Sequence, residues 1–141
     1  MIFRAVVLGS LAGLILSGWM FLWQQMTGIG IYTLLMNVDF IPIVNQVEWN
    51  GVMLNLFHLV ISWAIVWIYL LFIHKSSWNK WMLGLALSSG AACVYFPLSL
   101  LAVQDVPGID DWLAICIWYA GHILYGISVV KLTDLFYNSK F

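Results

Sequence analysis

Polar side chains recur at matching offsets in two apolar stretches of this sequence. In the first stretch, Asn55, His58 and Ser62 are spaced so that they share one face of a helix. In the second, Tyr119 and His122 have the same separation as the first two. Amide, hydroxyl and neutral imidazole groups can hydrogen-bond a ligand, and two imidazoles can also ligate a haem iron. These five residues are therefore the candidate ligand-binding residues.

The two histidines lie at the same predicted depth, and three interpretations of them stay open. Counted from Trp49 and Trp112, both imidazoles lie roughly 14 Å inward along a helix. They can hydrogen-bond neighbouring helices and only stabilise packing. They can instead form the floor of an outward-opening pocket for a small or lipidic ligand. As an alternative, His58 and His122 are the axial ligands of haem b in a haem or quinone-linked electron carrier.

The remaining residue types disfavour several classes of protein. No Asp, Glu, Lys or Arg lies in the middle of an apolar run, whereas proton pumps, ion-coupled carriers and voltage sensors need such residues. The serines have no acid–base pair at their depth and no GxSxG motif, so we expect no enzyme and no catalytic residue. Cys93 and Cys116 lack metal-site spacing, so no metal is expected. A net charge of −1 provides no basic surface for nucleic acid.

Haem b is less favoured than the packing and pocket interpretations, because the sequence offers no positive charge near its propionate groups. Its propionates would need Arg or Lys partners, and the loops on that side contain neither. We therefore expect no resident cofactor, and the favoured interpretation is a non-enzymatic small subunit or ligand-binding module with a polar layer in the outer half of the bundle.

The chain is composed like a protein embedded in lipid. It is 64% hydrophobic and only 8% charged, whereas soluble domains carry about a quarter charged residues. Four apolar runs are each close to the ~20 residues that a membrane-spanning helix needs. They predict one transmembrane domain over residues 1–141, an all-α integral membrane four-helix bundle made of two tandem hairpins. The predicted helices are 3–23, 52–73, 81–103 and 112–131.

Charge is distributed unequally between the two ends of these helices. All the basic residues fall at one end: Arg4, Lys75, Lys80, Lys131 and Lys140. Five acids fall at the other: Asp39, Glu48, Asp105, Asp110 and Asp111. Lys and Arg in short loops stay on the cytoplasmic side of a membrane. The pattern therefore predicts a plasma membrane protein whose two termini both face the cytoplasm.

Residues 24–51, between the first two helices, are too apolar for a plain loop. Ile31, Leu34, Phe40 and Ile43 are among the apolar residues of this segment, and Pro42 interrupts it. We predict that it lies in the outer membrane interface or folds over the mouth of the bundle.

Small residues predict how the helices pack. The first helix has small residues at every fourth position, at Ala5, Gly9, Gly13 and Ser17. The third has a similar row at Gly84, Ser88 and Ala92. Such rows let two backbones approach closely, so we expect the first and third helices to be in contact. The row of Gly9, Gly13 and Ser17 can equally form a homo-oligomer or bind a membrane-protein partner.

Other residues are interpreted through their depth. Pro97 lacks an N–H group, which should free a carbonyl near Cys93 that then needs a donor. Most tryptophans are expected to anchor the helices at the two membrane boundaries. Those nearest the boundaries, with one tyrosine, are Trp23, Trp49, Trp112, Trp78, Trp81 and Tyr137. His74, beside Lys75, is interpreted as interfacial.

Four short motifs resemble those of a loose group of small four-helix bacterial membrane proteins. They are G-x-x-x-G at Gly9 and Gly13, His-Leu-Val from His58, Pro-Leu at Pro97, and His-x-Leu-Tyr-Gly from His122 to Gly126. Members of this group are mainly uncharacterised. The resemblance implies a location in the bacterial inner membrane and implies no particular activity.

Overall fold

The computed structural model describes residues 1–42, 44–73 and 75–136, without the side chain of Asn45. Ile43, His74, Tyr137 and Lys140, about which the sequence made predictions, lie outside the described residues. Within the described ranges all the regular secondary structure is helical, with no strand. The helices are α1 (Ile2–Thr27), α2 (Ile31–Leu35), α3 (Gly51–Phe72), α4 (Lys80–Ala92), α5 (Tyr95–Leu101) and α6 (Trp112–Phe136).

Four segments of the described chain are long and apolar enough to cross a membrane. They are α1, α3, α4 with α5, and α6. This confirms the predicted all-α membrane four-helix bundle. The first and last spans of the chain are longer than predicted, because α1 continues to Thr27 and α6 to Phe136.

Local capping residues determine where three of these helices begin or end. The side chain of Asn50 accepts a hydrogen bond from the N–H of Met53 at the start of α3. Asn79 does the same for Met82 at the start of α4. Such caps satisfy backbone donors that have no partner within the helix. At the other end of α1, Gly28 adopts φ 76°, a left-handed conformation that glycine tolerates best.

The predicted third span over 81–103 is present as Lys80–Leu101, but its helix is interrupted at Cys93 and Val94. Pro97 has no N–H to donate to the carbonyl of Cys93, and its ring crowds that carbonyl. The segment therefore divides into α4 and α5, which together still have the length of one span.

The helices are ordered α3, α1, α6 and α4 across the bundle. α1 packs against both α3 and α6, and α6 packs against α4, whereas α3 and α4 meet over a much smaller area. Each sequence-adjacent hairpin is therefore a closely packed pair, and the two hairpins join through α1 and α6. This arrangement leaves a gap between the flanking helices α3 and α4.

The prediction that the first and third helices pack together through their small residues is wrong. Gly9 and Gly13 of α1 instead lie against α3, where Ser62 is a shared neighbour. In the other hairpin, Ser88 of α4 lies against Gly126 of α6. Consecutive spans tend to lie next to each other, and each small row serves its own hairpin.

The prediction of a second copy or a partner bound through Gly9, Gly13 and Ser17 stays a prediction. The chain's own α3 already covers Gly9 and Gly13. Ser17 is buried, and its hydroxyl has no partner among the described residues.

Three tryptophans form hydrogen bonds between helices instead of anchoring the boundaries. The indole N–H of Trp63 donates to Ser10 Oγ at 2.9 Å, which joins α3 to α1. Trp19 donates to the carbonyl of Ile117 at 3.0 Å, which joins α1 to α6. Trp118 donates to the carbonyl of Ala92 at 2.9 Å, which joins α6 to α4. Each closely packed helix pair thus has one indole bond, at a depth where an unpaired N–H is costly.

Residues 28–50, which we call the roof segment, fold over the end of the bundle. Ile31 and Leu34 of α2 are fully buried. Gln24 Oε1, near the end of α1, accepts hydrogen bonds from the backbone N–H groups of Tyr32 at 2.8 Å and Thr33 at 3.0 Å, in α2. The described part of the segment thus packs on the end of the bundle, and its predicted position in the outer membrane interface stays a prediction.

The roof segment is also bound to the far side of the bundle. Asp39 Oδ2 accepts hydrogen bonds from the N–H groups of Val103 at 3.1 Å and Gln104 at 2.8 Å, just beyond α5. The carboxylate thereby links the middle of the roof segment to the end of the broken third span.

Candidate functional site

A cavity of about 440 Å³ lies beneath the roof segment, in the gap between α3 and the α4–α5 break. Its walls are mainly aliphatic and aromatic. Typical wall residues are Phe57, Ile61, Val94 and Leu98, with Phe40 from the roof segment. The cavity lies where the flanking elements α3 and α4–α5 make little contact with each other, and roof-segment residues close one end of it.

Four polar side chains face this cavity from α3 and α6: His58, Ser62, His122 and Tyr125. We call these four residues the polar floor. Ser62 Oγ donates to the carbonyl of Gly9 at 2.7 Å and lies 2.9 Å from the hydroxyl of Tyr125. Because Ser62 has one hydroxyl proton, which the Gly9 carbonyl receives, Tyr125 is the donor in the second bond. Both hydroxyl protons are therefore used within the protein.

Each histidine of the polar floor uses one ring nitrogen for a backbone carbonyl. His58 Nε2 lies 3.2 Å from the carbonyl oxygen of Gly13, on α1. His122 Nδ1 lies 2.9 Å from the carbonyl oxygen of Trp118, one turn earlier in α6. The rings of Trp118 and His122 also stack, with centroids 4.8 Å apart. The second ring nitrogen of each histidine, His58 and His122, has no hydrogen-bond partner among the described residues.

The two other predicted site residues do not line the cavity. Asn55 Nδ2 donates to the hydroxyl of Tyr32 at 2.8 Å, so it holds the roof segment against α3. Tyr119 is partly exposed, and its hydroxyl lies 3.6 Å from Cys93 Sγ. Relative to His122, Tyr119 lies about 60° around one side of α6, whereas Trp118 and Tyr125 lie about 40° and 60° around the other side, which faces the cavity.

Three cavity-lining positions were missed by the sequence reasoning. Tyr125 and Trp118 flank His122 at helical spacing but look like ordinary core aromatics. Asn37, in the roof segment, also lines the cavity and is only 5% exposed. Its Oδ1 accepts from the N–H of Asp39 at 2.9 Å, but its Nδ2 has no partner among the described residues. The available signal was a polar Asn within an otherwise apolar stretch.

Pro97 was expected to leave a carbonyl near Cys93 in need of a donor. The structure shows the neighbouring carbonyl, that of Ala92, accepting the indole bond from Trp118. A donor from α6 therefore reaches this region, but it binds the carbonyl of Ala92, one residue before Cys93.

The geometry gives no specific support to the haem alternative, which stays a prediction. His58 directs Nε2 to Gly13. Among the described residues, the cavity lining includes no Lys or Arg that would bind propionates. No group of three potential metal-ligating side chains is present in that part of the chain either.

The fold and the cavity define a class, a multi-pass helical membrane protein with an internal apolar site. Comparison with protein-family profiles, curated proteins and solved structures gave no match.

Proposed function

We propose that this protein is a non-enzymatic binding module of the bacterial inner membrane, which holds a small, mainly apolar ligand in the cavity. The observation that supports this is the cavity itself, apolar in its walls and polar at one side. Ligand sites in proteins typically combine an apolar lining with a few convergent polar groups. The roof segment gives the site a cover of its own.

Access from the lipid is the route that fits the exposed residues. Val60 and Ile61 of α3 and Val94 at the α4–α5 break all line the cavity and are 46%, 61% and 45% exposed. In a membrane these side chains face acyl chains. A ligand dissolved in the bilayer would therefore enter between α3 and α5 without crossing water.

The cavity lies in the outer half of the membrane under the orientation that we propose. At the opposite end, the one acid among the basic residues, Asp134, forms an ion pair with Lys80 at 2.7 Å. Lys131 lies 5.4 Å from the ring centroid of Trp81. The distribution of Lys and Arg supports placing this end in the cytoplasm.

Cysteine labelling tests the orientation, because Lys75 and Asp105 are both exposed at opposite ends of the bundle. We expect Asp105→Cys to react with a membrane-impermeant maleimide in intact spheroplasts. Lys75→Cys should react only after permeabilisation. The background carries Cys93→Ala and Cys116→Ala, since both native thiols are exposed. Reaction of both positions from the same side would contradict the proposed orientation.

Ligand occupancy can be tested with a cavity-filling variant and a matched control. Ala91 lines the cavity, whereas Ala86, five residues earlier in α4, is exposed outside it. An indole at position 91 would occupy much of the space, so Ala91→Trp should lose about 90% of cavity labelling, as expected when overpacking excludes a ligand. Ala86→Trp should label like the original protein.

The measurement uses two diazirine probes in proteoliposomes, a photoreactive 12-carbon alcohol and its methyl ether. Mass spectrometry then locates the label. Trp118 and Tyr125 are buried within the bundle and line the cavity, so label at these residues reports a probe that occupies the cavity. Labelling by either probe that excess unlabelled compound reduces would support the proposal. If neither probe labels these residues, or if Ala91→Trp labels them fully, the proposal is wrong.

A further inference from the structure

The carbonyl contacts of the two floor histidines determine which ring nitrogens carry protons. A backbone carbonyl only accepts hydrogen bonds, so the nitrogen that faces it is the N–H donor. We assign His58 as the Nε2–H tautomer and His122 as the Nδ1–H tautomer on this basis. The second nitrogen of each neutral ring is then an acceptor, and each ring lines the cavity.

The other polar atoms of the polar floor have no proton to offer. Ser62 donates to Gly9, and Tyr125 donates to Ser62. The floor thus offers acceptors without free donors. Across the cavity, the unpartnered Nδ2 of the buried Asn37 is a donor on the roof side. Buried polar groups without partners are costly, so an occupant that matches them is favoured.

We infer that the cavity selects a neutral alcohol or phenol on an apolar body, with its O–H donated to the unprotonated ring nitrogen of His58 or of His122. This inference rests on the proposed function. The hydroxyl proton satisfies a floor acceptor, and an oxygen elsewhere on the molecule can accept from Asn37. A ketone, ester or ether has no donor for the floor. A carboxylate would be buried without a cation, since the described lining contains no Lys or Arg.

The matched diazirine probes test this inference directly. At equal mole fraction in the bilayer, the alcohol should label Trp118 and Tyr125 about tenfold more efficiently than its methyl ether, as one well-made buried hydrogen bond would provide. As competitors, 1-dodecanol should reduce the labelling at about tenfold lower mole fraction than 2-dodecanone. His58→Phe with His122→Phe keeps two rings of similar size, and it should make the two probes equal.

Ring-nitrogen NMR of histidine-labelled protein provides a readout that needs no variant. We expect the Nε2–H tautomer for His58 and the Nδ1–H tautomer for His122, and 1-dodecanol should shift the unprotonated nitrogens in the direction of an accepted hydrogen bond. The opposite tautomers would overturn the inference. Equal labelling by alcohol and ether at the cavity residues would also overturn it while leaving the proposed function supported. Absence of cavity labelling by both probes would contradict both.

Discussion

Replacing Trp118 with alanine is expected to lower the free energy of unfolding by about 3 kcal/mol. The side chain is 1% exposed, and its indole donates to Ala92 at 2.9 Å across the α6–α4 contact. Its ring also packs against Tyr95 at a centroid distance of 5.6 Å and against His122. Truncation would leave an unfilled space and an unpaired carbonyl. The value lies at the low end for Trp→Ala because lipid gives no hydrophobic penalty for separating helices.

Trp112 provides the matched control for this substitution. It begins the same helix but is 75% exposed, so Trp112→Ala should change stability by less than about 0.5 kcal/mol. Trp118→Phe keeps most of the ring volume and removes the donor, so it should cost about 1 kcal/mol. SDS-induced unfolding of the purified protein, followed by far-ultraviolet circular dichroism, measures all three. Equal losses at positions 118 and 112 would show that the indole bond and its packing have little energetic effect.

The existence of the four helices was predictable because span length is encoded directly in the sequence. A helix that crosses ~30 Å of hydrocarbon needs ~20 apolar residues, and no soluble alternative fits four such runs. The ends were less predictable, since they depend on single residues. The caps at Asn50 and Asn79 and the left-handed Gly28 are visible in the sequence, but similar residues occur where no helix ends.

The pairing of helices could not be derived from the small residues alone. A small-xxx-small row shows that some backbone comes close, but it does not identify which one. The rows on the first and third helices looked complementary to each other. In the structure Gly13 faces Ser62, and Gly126 faces Ser88, so each row is complementary to the second helix of its own hairpin.

The orientation of α6 was similarly hidden, because its residues are apolar on every side. An amphipathic helix shows its buried face through polar residues on the other face, and this helix has no such stripe. Tyr119 was therefore assigned to the site on spacing alone. The α6 residues that line the cavity with His122 are Trp118 and Tyr125. Only the packing of α6 against its neighbouring helices shows which of its sides faces the cavity.

The histidine layer was predictable in depth but not in hydrogen bonding. Similar distances from Trp49 and Trp112 placed His58 and His122 together, and both do line one cavity. The carbonyl that His122 contacts lies on its own helix, whereas for His58 the contact of Nε2 with the Gly13 carbonyl depends on how closely α1 approaches α3. That approach depends in turn on a glycine.

Gly9→Ala is the substitution that tests this close approach, and we expect it to destabilise the protein by about 2 kcal/mol. A Cβ at this position would lie 3.0 Å from the Cα of Trp63 and 3.1 Å from the carbonyl oxygen of Ser62. Backbone atoms cannot rotate away, so α1 and α3 would have to separate. The separation would also strain the 2.7 Å bond from Ser62 Oγ to the Gly9 carbonyl.

Gly18→Ala is the control, since it makes the same change in the same helix where no atom lies within 4 Å of the new Cβ. Removing a glycine from a helix interior is otherwise favourable by up to about 1 kcal/mol, so this variant should be neutral or more stable. SDS-induced unfolding compares the two variants. Ser62 also accepts a hydrogen bond from Tyr125, so a shift of Ser62 when α1 and α3 separate should disturb the position of Tyr125. We therefore expect less cavity labelling at Tyr125 in Gly9→Ala and unchanged labelling in Gly18→Ala. If Gly9→Ala were as stable as Gly18→Ala, the close contact of α1 with α3 would not be a feature of the folded protein.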